Sequence, residues 1–414
     1  MNVVIHAVFA LLGTVLSNYA ADIPPPNDSD LLPRQVTVSR EHNAYYSLIN
    51  IEKSLYKPTQ NPDLLQDHLA GRKWDDEFVA EILSKNQQAR KYFHEATQRP
   101  QFRDPTIDEN GEFSVDVLMA ASNIARVNSL AAAHSFRRGR QKEALEEALK
   151  IIDNGQMIQD SQGTIVHYLI ATDMKRIGLE RMQRIAESTT LSPEILIWYA
   201  GRLERYKKNE AGLTAAFTHE YAFFTTALDG ALSGNPKSTT DERIEPLRKY
   251  SFYFQPNKTK SLHANFVRGQ ISDVGVPCGL RRNAEIKRLT PSSKIQMFVT
   301  ENLVGRILVD IATPPYWRKA HEAKCEDDLL VSATQALLAL RAYKMRTGRY
   351  PTSLDELVPR YMTGVPIDPF DGRLLRYSAE QKMIYSWGTD LADWVVKEDQ
   401  DENETKQRVF PINF

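Results

Sequence analysis

Few side chains in this 414-residue chain have the types and spacing that chemistry needs. His219 and Glu220, followed by Tyr221, fall in a helical stretch, where an imidazole beside an acid suits general-base work. The same residues suit a plainer role, the His and the acid satisfying one another or the nearby backbone, and that reading is preferred. His321, Glu322 and Cys325 include the i, i+4 spacing that puts two ligands on one helix face, but a metal site needs a third ligand and the sequence offers none nearby. Cys278 and Cys325 are the only cysteines, too few for a four-cysteine zinc site. Either they close one disulfide over residues 279–324, stabilising the fold by roughly 3–4 kcal/mol in the chain-entropy model, or they remain two buried thiols. No GxxxxGK[ST] or GxGxxG phosphate loop, no HExxH helix and no GxSxG elbow occurs. No catalytic residue is therefore assigned, and neither a cofactor nor a metal is expected.

The elements that would position such groups belong to an ordinary folded protein. Hydrophobic residues make up 42% of the chain and charged residues 25%, and the length suffices for two or three cores. Lys+Arg 52 against Asp+Glu 53 leaves a formal net charge of -1, so no global field attracts a nucleic acid backbone and no nucleic acid partner is expected. The short basic run Arg137-Arg138-Gly139-Arg140 reads as the solvated end of a helix.

At the amino terminus, Val3 to Leu16 is apolar apart from His6, Gly13 and Thr14. A run of about 14 residues has the length of a signal-peptide core and falls short of the ~20 that span a bilayer. Residues 1–21 are thus read as an export signal or as the remnant of a membrane anchor that begins upstream. Both readings place the bulk of the chain outside the cytoplasm, periplasmic or anchored, with membrane proximity through the N-terminus. Residues 22–113 read as a Pro- and Asp-rich linker followed by peripheral helices, one over 43–55 and a charged one over about 74–98.

From Ser114 onward the helical signal is strongest. Ala120, Ile124, Val127 and Ala131 line one helix face, Ala144, Ala148 and Ile152 a second, and Ile170, Met174 and Ile177 a third. Ser192-Pro193-Glu194 is a helix start, with a capping hydroxyl, proline at the first position and an acid near the positive dipole end. Four or five antiparallel helices follow from the short connections, and residues 114–325 are read as a helical bundle or a degenerate helical repeat. Between about Ser233 and Ser293 the pattern loosens, with turn material at Gly234-Asn235-Pro236 and a surface loop at Gly275 to Gly279. Helices resume over Ile295 to Ile311 and from Arg318 to Met345.

The last helix leads into residues that carry a family resemblance. Ala336 to Lys344 followed by Gly348-Arg349-Tyr350-Pro351, the short helix Ser353-Leu354-Asp355-Glu356-Leu357, the turn Asp368-Pro369-Phe370-Asp371-Gly372 and the segment Tyr385-Ser386-Trp387-Gly388-Thr389-Asp390 occur in this order. Together they resemble the globular head of a type II secretion major pseudopilin. The resemblance covers about residues 326–394 and implies a small α+β head, with strands at Leu374 to Tyr377 and Met383 to Trp387. It lacks the Phe-Thr-Leu-Ile-Glu beginning with which pseudopilins build a fibre. It also implies a calcium loop at Ser386 to Asp393, where Asp390 and Asp393 supply two or three of the six to eight oxygens that calcium takes. Leu391 stands where the family has glycine, and Asp390 is read instead as closing a turn. The whole chain is similar to a group of exported proteins of large-genome environmental bacteria, a likeness that implies architecture alone.

The expectation is a mainly α protein, a helical bundle with a pseudopilin-like α+β head at 326–414. Its expected role is a non-catalytic scaffold or interaction module with a protein partner in the cell envelope. The alternative is an extracytoplasmic hydrolase with a carboxylate site between helical domain and head.

Overall fold

The computed structural model describes residues 21–34, 36–57, 62–107, 114–207, 210–232, 251–282, 287–313, 316–388 and 408–414. The apolar run at the amino terminus, the turns at Gly234 and Ser238, and Asp390 and Asp393 lie outside them. Among the described residues the chain is mainly helical, with one small antiparallel sheet near its end. No described helix is long and apolar enough to cross a membrane.

In chain order the helices are α1 Tyr45–Ser54, α2 Pro62–Leu69, α3 Asp76–Lys85, α4 Gln87–Ala96, α5 Asp116–Arg137, α6 Gln141–Gln159, α7 Ile165–Ser188 and α8 Pro193–Leu203. Then come α9 Glu210–Leu232, α10 Pro256–Ser272, α11 Lys294–Val299, α12 Leu303–Ala312 and α13 Tyr316–Thr347, followed by β1 Arg376–Ser378, β2 Met383–Ser386 and β3 Arg408–Pro411. The chain forms two units. The first takes its described residues from Met1–Gln35, Thr214–Val274 and Arg282–Lys319, the second from Val36–Leu213, Gly275–Arg281 and Ala320–Phe414. Both are discontinuous in sequence, unlike the consecutive segments 22–113, 114–325 and 326–414 drawn from linkers, because packing rather than chain order sets them.

In the second unit, α5, α6 and α7 carry the apolar stripes seen in the sequence: Ile124, Leu130, Ile151 and Met174 are buried in one cluster with Leu48 of α1, Val79 of α3 and Phe93 of α4. The charged stretch 74–98 is two helices rather than one. Asn86 divides them, buried, with its amide donating to the carbonyls of Tyr56 and Ile82 while its Oδ1 accepts from Tyr56 N. The basic run ends α5 as expected: Gly139 takes φ +77°, its N–H donates to Phe136 O and that of Arg140 to Ser135 O, the paired bonds of a Schellman cap. Residues Arg137, Arg138 and Arg140 are exposed there. One detail of the α8 start differs. The Ser192 side chain makes no capping bond to the helix backbone, and the start rests on Pro193 and on Ser192 O, which accepts from Ile195 N.

A second apolar cluster in this unit joins α6, α7 and α8 to α13 and the head, through Leu145, Leu179, Tyr199, Leu337, Leu340, Leu357, Phe370 and Ile384. Gly348, at φ +76°, stops α13. The short helix forms as a 3-10 turn, Leu354–Leu357. β1 and β2 pair antiparallel with Tyr377 opposite Ile384, and β3 adds to the other edge of β2 with Phe410 opposite Ile384. That third strand was not anticipated; four residues ending in proline carry too little alternation to read as a strand.

The loop at Gly275 to Gly279 is not merely surface. Cys278 is bonded to Cys325 and buried, and the N–H groups of Cys278 and Gly279 donate to Pro369 O and Phe370 O of the head turn. The first unit has its own aromatic core. Phe217 stacks on Trp317 at 4.8 Å, and Leu228 of α9, Phe254 just before α10 and Val304 of α12 form an apolar cluster. The helix expected over Ile295 to Ile311 breaks at Asn302, which sits at φ +54° and accepts from Gln255 N.

Candidate functional site

The residues singled out in the sequence do not converge. In the first unit His219 is buried and donates from Nδ1 to Ala215 O, four residues back. Glu220 accepts from Tyr316 Oη at 3.2 Å, and the Tyr221 hydroxyl donates to Asp28 at 2.7 Å. Burial and the neighbouring carboxylates raise both phenols well above their ordinary range. In the second unit His321 is buried and held down to about 3 by burial, with Arg281 and Lys324 adding repulsion. Cys325 is consumed by the disulfide, so the His321, Glu322 and Cys325 spacing presents no thiolate and cannot ligate as such.

A hydroxyl, an imidazole and a carboxylate do line up in series at another place. Thr164 Oγ1 lies 3.0 Å from His167 Nδ1, and His167 Nε2 lies 3.3 Å from Asp104 Oδ2. This is the order of a nucleophile, its base and an orienting acid. Thr164, His167 and Asp104 are nevertheless only 1%, 1% and 2% exposed, so no substrate reaches them. Thr164 and His167 instead make the capping box that starts α7. Burial pushes the Asp104 carboxyl up, but His167 and Thr106 outweigh it and leave it lowered.

Two further polar clusters are interior. Lys175 Nζ reaches Asp327 Oδ2 at 2.5 Å and Gln159 Oε1 at 2.9 Å, with Lys175 wholly buried. Burial raises Asp327 in spite of the ammonium beside it. Glu147 of α6 contacts His94, Lys150 and Arg90 at 3.0, 3.1 and 3.4 Å. Burial alone would raise that carboxyl, but the three basic groups hold it at about 2. A groove of about 180 Å³ runs between α7 and the chain's end, and it contains two carboxylates, Glu180 and Glu187. Seven residues of helix separate them by about 10 Å. Glu180 accepts from Arg176 and Glu187 from Asn413.

An open cleft of about 580 Å³ also lies in the second unit. Its walls are the stretch from Thr97 to Arg103 after α4, the end of α6 and the end of α8, and they bring together Arg99, Arg103, Arg202 and Arg205. Its acids are Asp153 and Asp160, and Phe102 and Met157 give it an apolar side. No sequence pattern marked these four arginines, because they come as two separated pairs, each spaced like any surface charge.

No family model, curated protein or solved structure matches the chain.

Proposed function

We propose that the chain is a non-catalytic interaction module of the cell envelope, a helical scaffold with a pseudopilin-like head as a docking or packing module. The observation that carries this reading is on α11. Ile295, Phe298 and Val299 are 79%, 73% and 71% exposed, three large apolar side chains on six residues of helix. Scattered apolar residues are normal on a surface, but a cluster of this kind marks a contact with another molecule. The Cys278–Cys325 bond supports an extracytoplasmic setting, since disulfides persist in oxidising compartments and are rare in the cytosol. The interior pairing of His167, Lys175 and Glu147 supports the absence of chemistry, because each group's polar contacts are to other parts of the protein.

A photo-crosslinking residue at position 298, activated in intact cells, tests the proposal. One envelope protein should be trapped, and Ile295→Asp should abolish the adduct while leaving the melting temperature unchanged. Absence of any protein adduct, or adducts with lipid alone, overturns it.

A further inference from the structure

The arginine-walled cleft of the second unit has the size of a small-molecule site, which commonly falls between about 300 and 1,000 Å³. Its charge is unbalanced. Asp153 alone serves two guanidiniums, accepting from Arg205 at 2.8 Å and lying 3.6 Å from Arg202, and it also accepts the Tyr206 hydroxyl at 2.6 Å. The buried Nε of Arg202 has no hydrogen-bond partner among the described residues. Across the cleft, Arg99 donates from Nη1 to the carbonyls of Arg40 and Glu41 at 2.7 and 3.0 Å, and Arg103 donates from Nη1 to Gln162 O at 2.6 Å. Carbonyl partners fix the Arg99 guanidinium in place without neutralising it. Asp160, the second acid, accepts from Gln156. A purely structural ion network would match acids to bases. Among the described residues the guanidiniums of Arg99, Arg202 and Arg205 outnumber the two acids of the cleft, and the Arg202 Nε stays without a partner beside an open, ligand-sized space.

We propose that this cleft binds a small molecule bearing a carboxylate or phosphate group, the oxyanion held by the forked N–H groups of Arg202 and Arg205 on one wall and Arg99 on the other, with the ligand's body against Phe102 and Met157. Guanidinium suits planar, two-point recognition of either oxyanion. The inference stands apart from the interaction-module reading: a ligand site here needs neither an envelope partner nor α11.

Calorimetric titration of the full oxidised chain with inorganic phosphate and, separately, with malonate at constant ionic strength tests it. At least one probe should bind saturably, and the better probe tells phosphate from carboxylate. Arg202→Gln should weaken that binding about 10- to 100-fold, as expected for losing a charge-assisted hydrogen bond, and Arg202→Lys should recover only part of it. Should Arg202→Gln fail to fold, Arg205→Gln replaces it, since that side chain is half exposed. Saturable binding by neither probe overturns the proposal, as does binding that the foldable variants leave unchanged.

Discussion

In the second unit Lys175 is sealed from water with Asp327 and Gln159 around its ammonium, whereas in the first unit His263 is sealed among four rings with neither nitrogen hydrogen-bonded. The rings are Tyr221 and Phe224 of α9, Phe266 of α10 and Trp317 of α13, with centroids 4.2 to 6.4 Å from the imidazole. Lysine cannot easily shed its charge, so it is buried with an acid. Histidine can, so burial simply keeps it neutral and pushes it down to about 3. The lysine site thus depends on pairing and the histidine site on deprotonation, and the two respond differently to substitution and to acid.

The largest effect is expected from Lys175→Met, which leaves Asp327 buried without its cation. Breaking a buried pair from one side costs about 3–5 kcal/mol, while replacing both partners is far milder. Denaturant unfolding of Lys175→Met and of the double variant with Asp327→Leu checks this. A single variant as stable as the wild type would mean that the pair carries nothing and would erase the contrast with His263.

Next comes the Cys278–Cys325 bond, which closes a loop of sequence separation 47 and holds the Cys278-Gly279 segment on the head turn. Replacing both cysteines with serine should cost about 3–4 kcal/mol. Hydrogen exchange should show the loss first at Asp368, whose buried carboxylate accepts from Phe370 N, Ser386 Oγ and Arg376 Nη1. Loosening confined to the first unit instead would show that the bond does not hold the head.

The sequence made the second unit far more legible than the first. Period-3.6 stripes on α5 to α7, the glycine at 139 and the proline at 193 are local signals, and each element formed where its signal lay. The head turn and its two strands were also readable. In the first unit α9 and the helical stretch of α11 and α12 were readable, but α10 was not. α10 went unplaced because Thr259, His263 and Gln270 are among the residues it buries, so no apolar stripe marks it. The cleft was illegible for another reason: Arg99 and Arg202 become neighbours of one space only through the packing of α4, α6 and α8. The disulfide stood at even choice, since spacing carries no geometry.

Within the second unit the α6 and α7 seam sharpens the comparison by a smaller effect. A Cβ on Gly178 would lie 2.7 Å from Ile152 Cγ1 and 2.8 Å from Ala148 O, and a backbone carbonyl has nowhere to go. Gly178→Ala should therefore destabilise by about 1–3 kcal/mol despite the better helix propensity of alanine. Gly201 on α8 has nothing within 4 Å of the same position, and Gly201→Ala should stabilise by up to about 1 kcal/mol. Thermal melts of the two variants should move in opposite directions; a shared direction would deny that the helices approach closely at Gly178.

The smallest effect near neutrality belongs to acid, and it separates α10 around His263 from α6 around Glu147 by pH window. His263 binds a proton below about 6.5 when unfolded but only near 3 when folded. Between those values the unfolded state holds the extra proton, so stability is complete above 6.5 and falls as pH drops, by about 1.4 kcal/mol per unit. The polar groups of the surrounding rings are turned to other partners, the Tyr221 hydroxyl donating to Asp28 and Trp317 Nε1 to Ala312 O. In the second unit Glu147, held at about 2 against an ordinary value of 4.5, keeps its contribution until pH falls below 4.5. At pH 5.5, then, α10 amides should exchange roughly tenfold faster relative to pH 7.5 once intrinsic rates are removed, while α6 amides hold. His263→Leu should remove that acid sensitivity from α10 alone. Equal loss in both helices at pH 5.5, or a sensitivity that survives the substitution, would show that deprotonation of this imidazole is not what holds the first unit together.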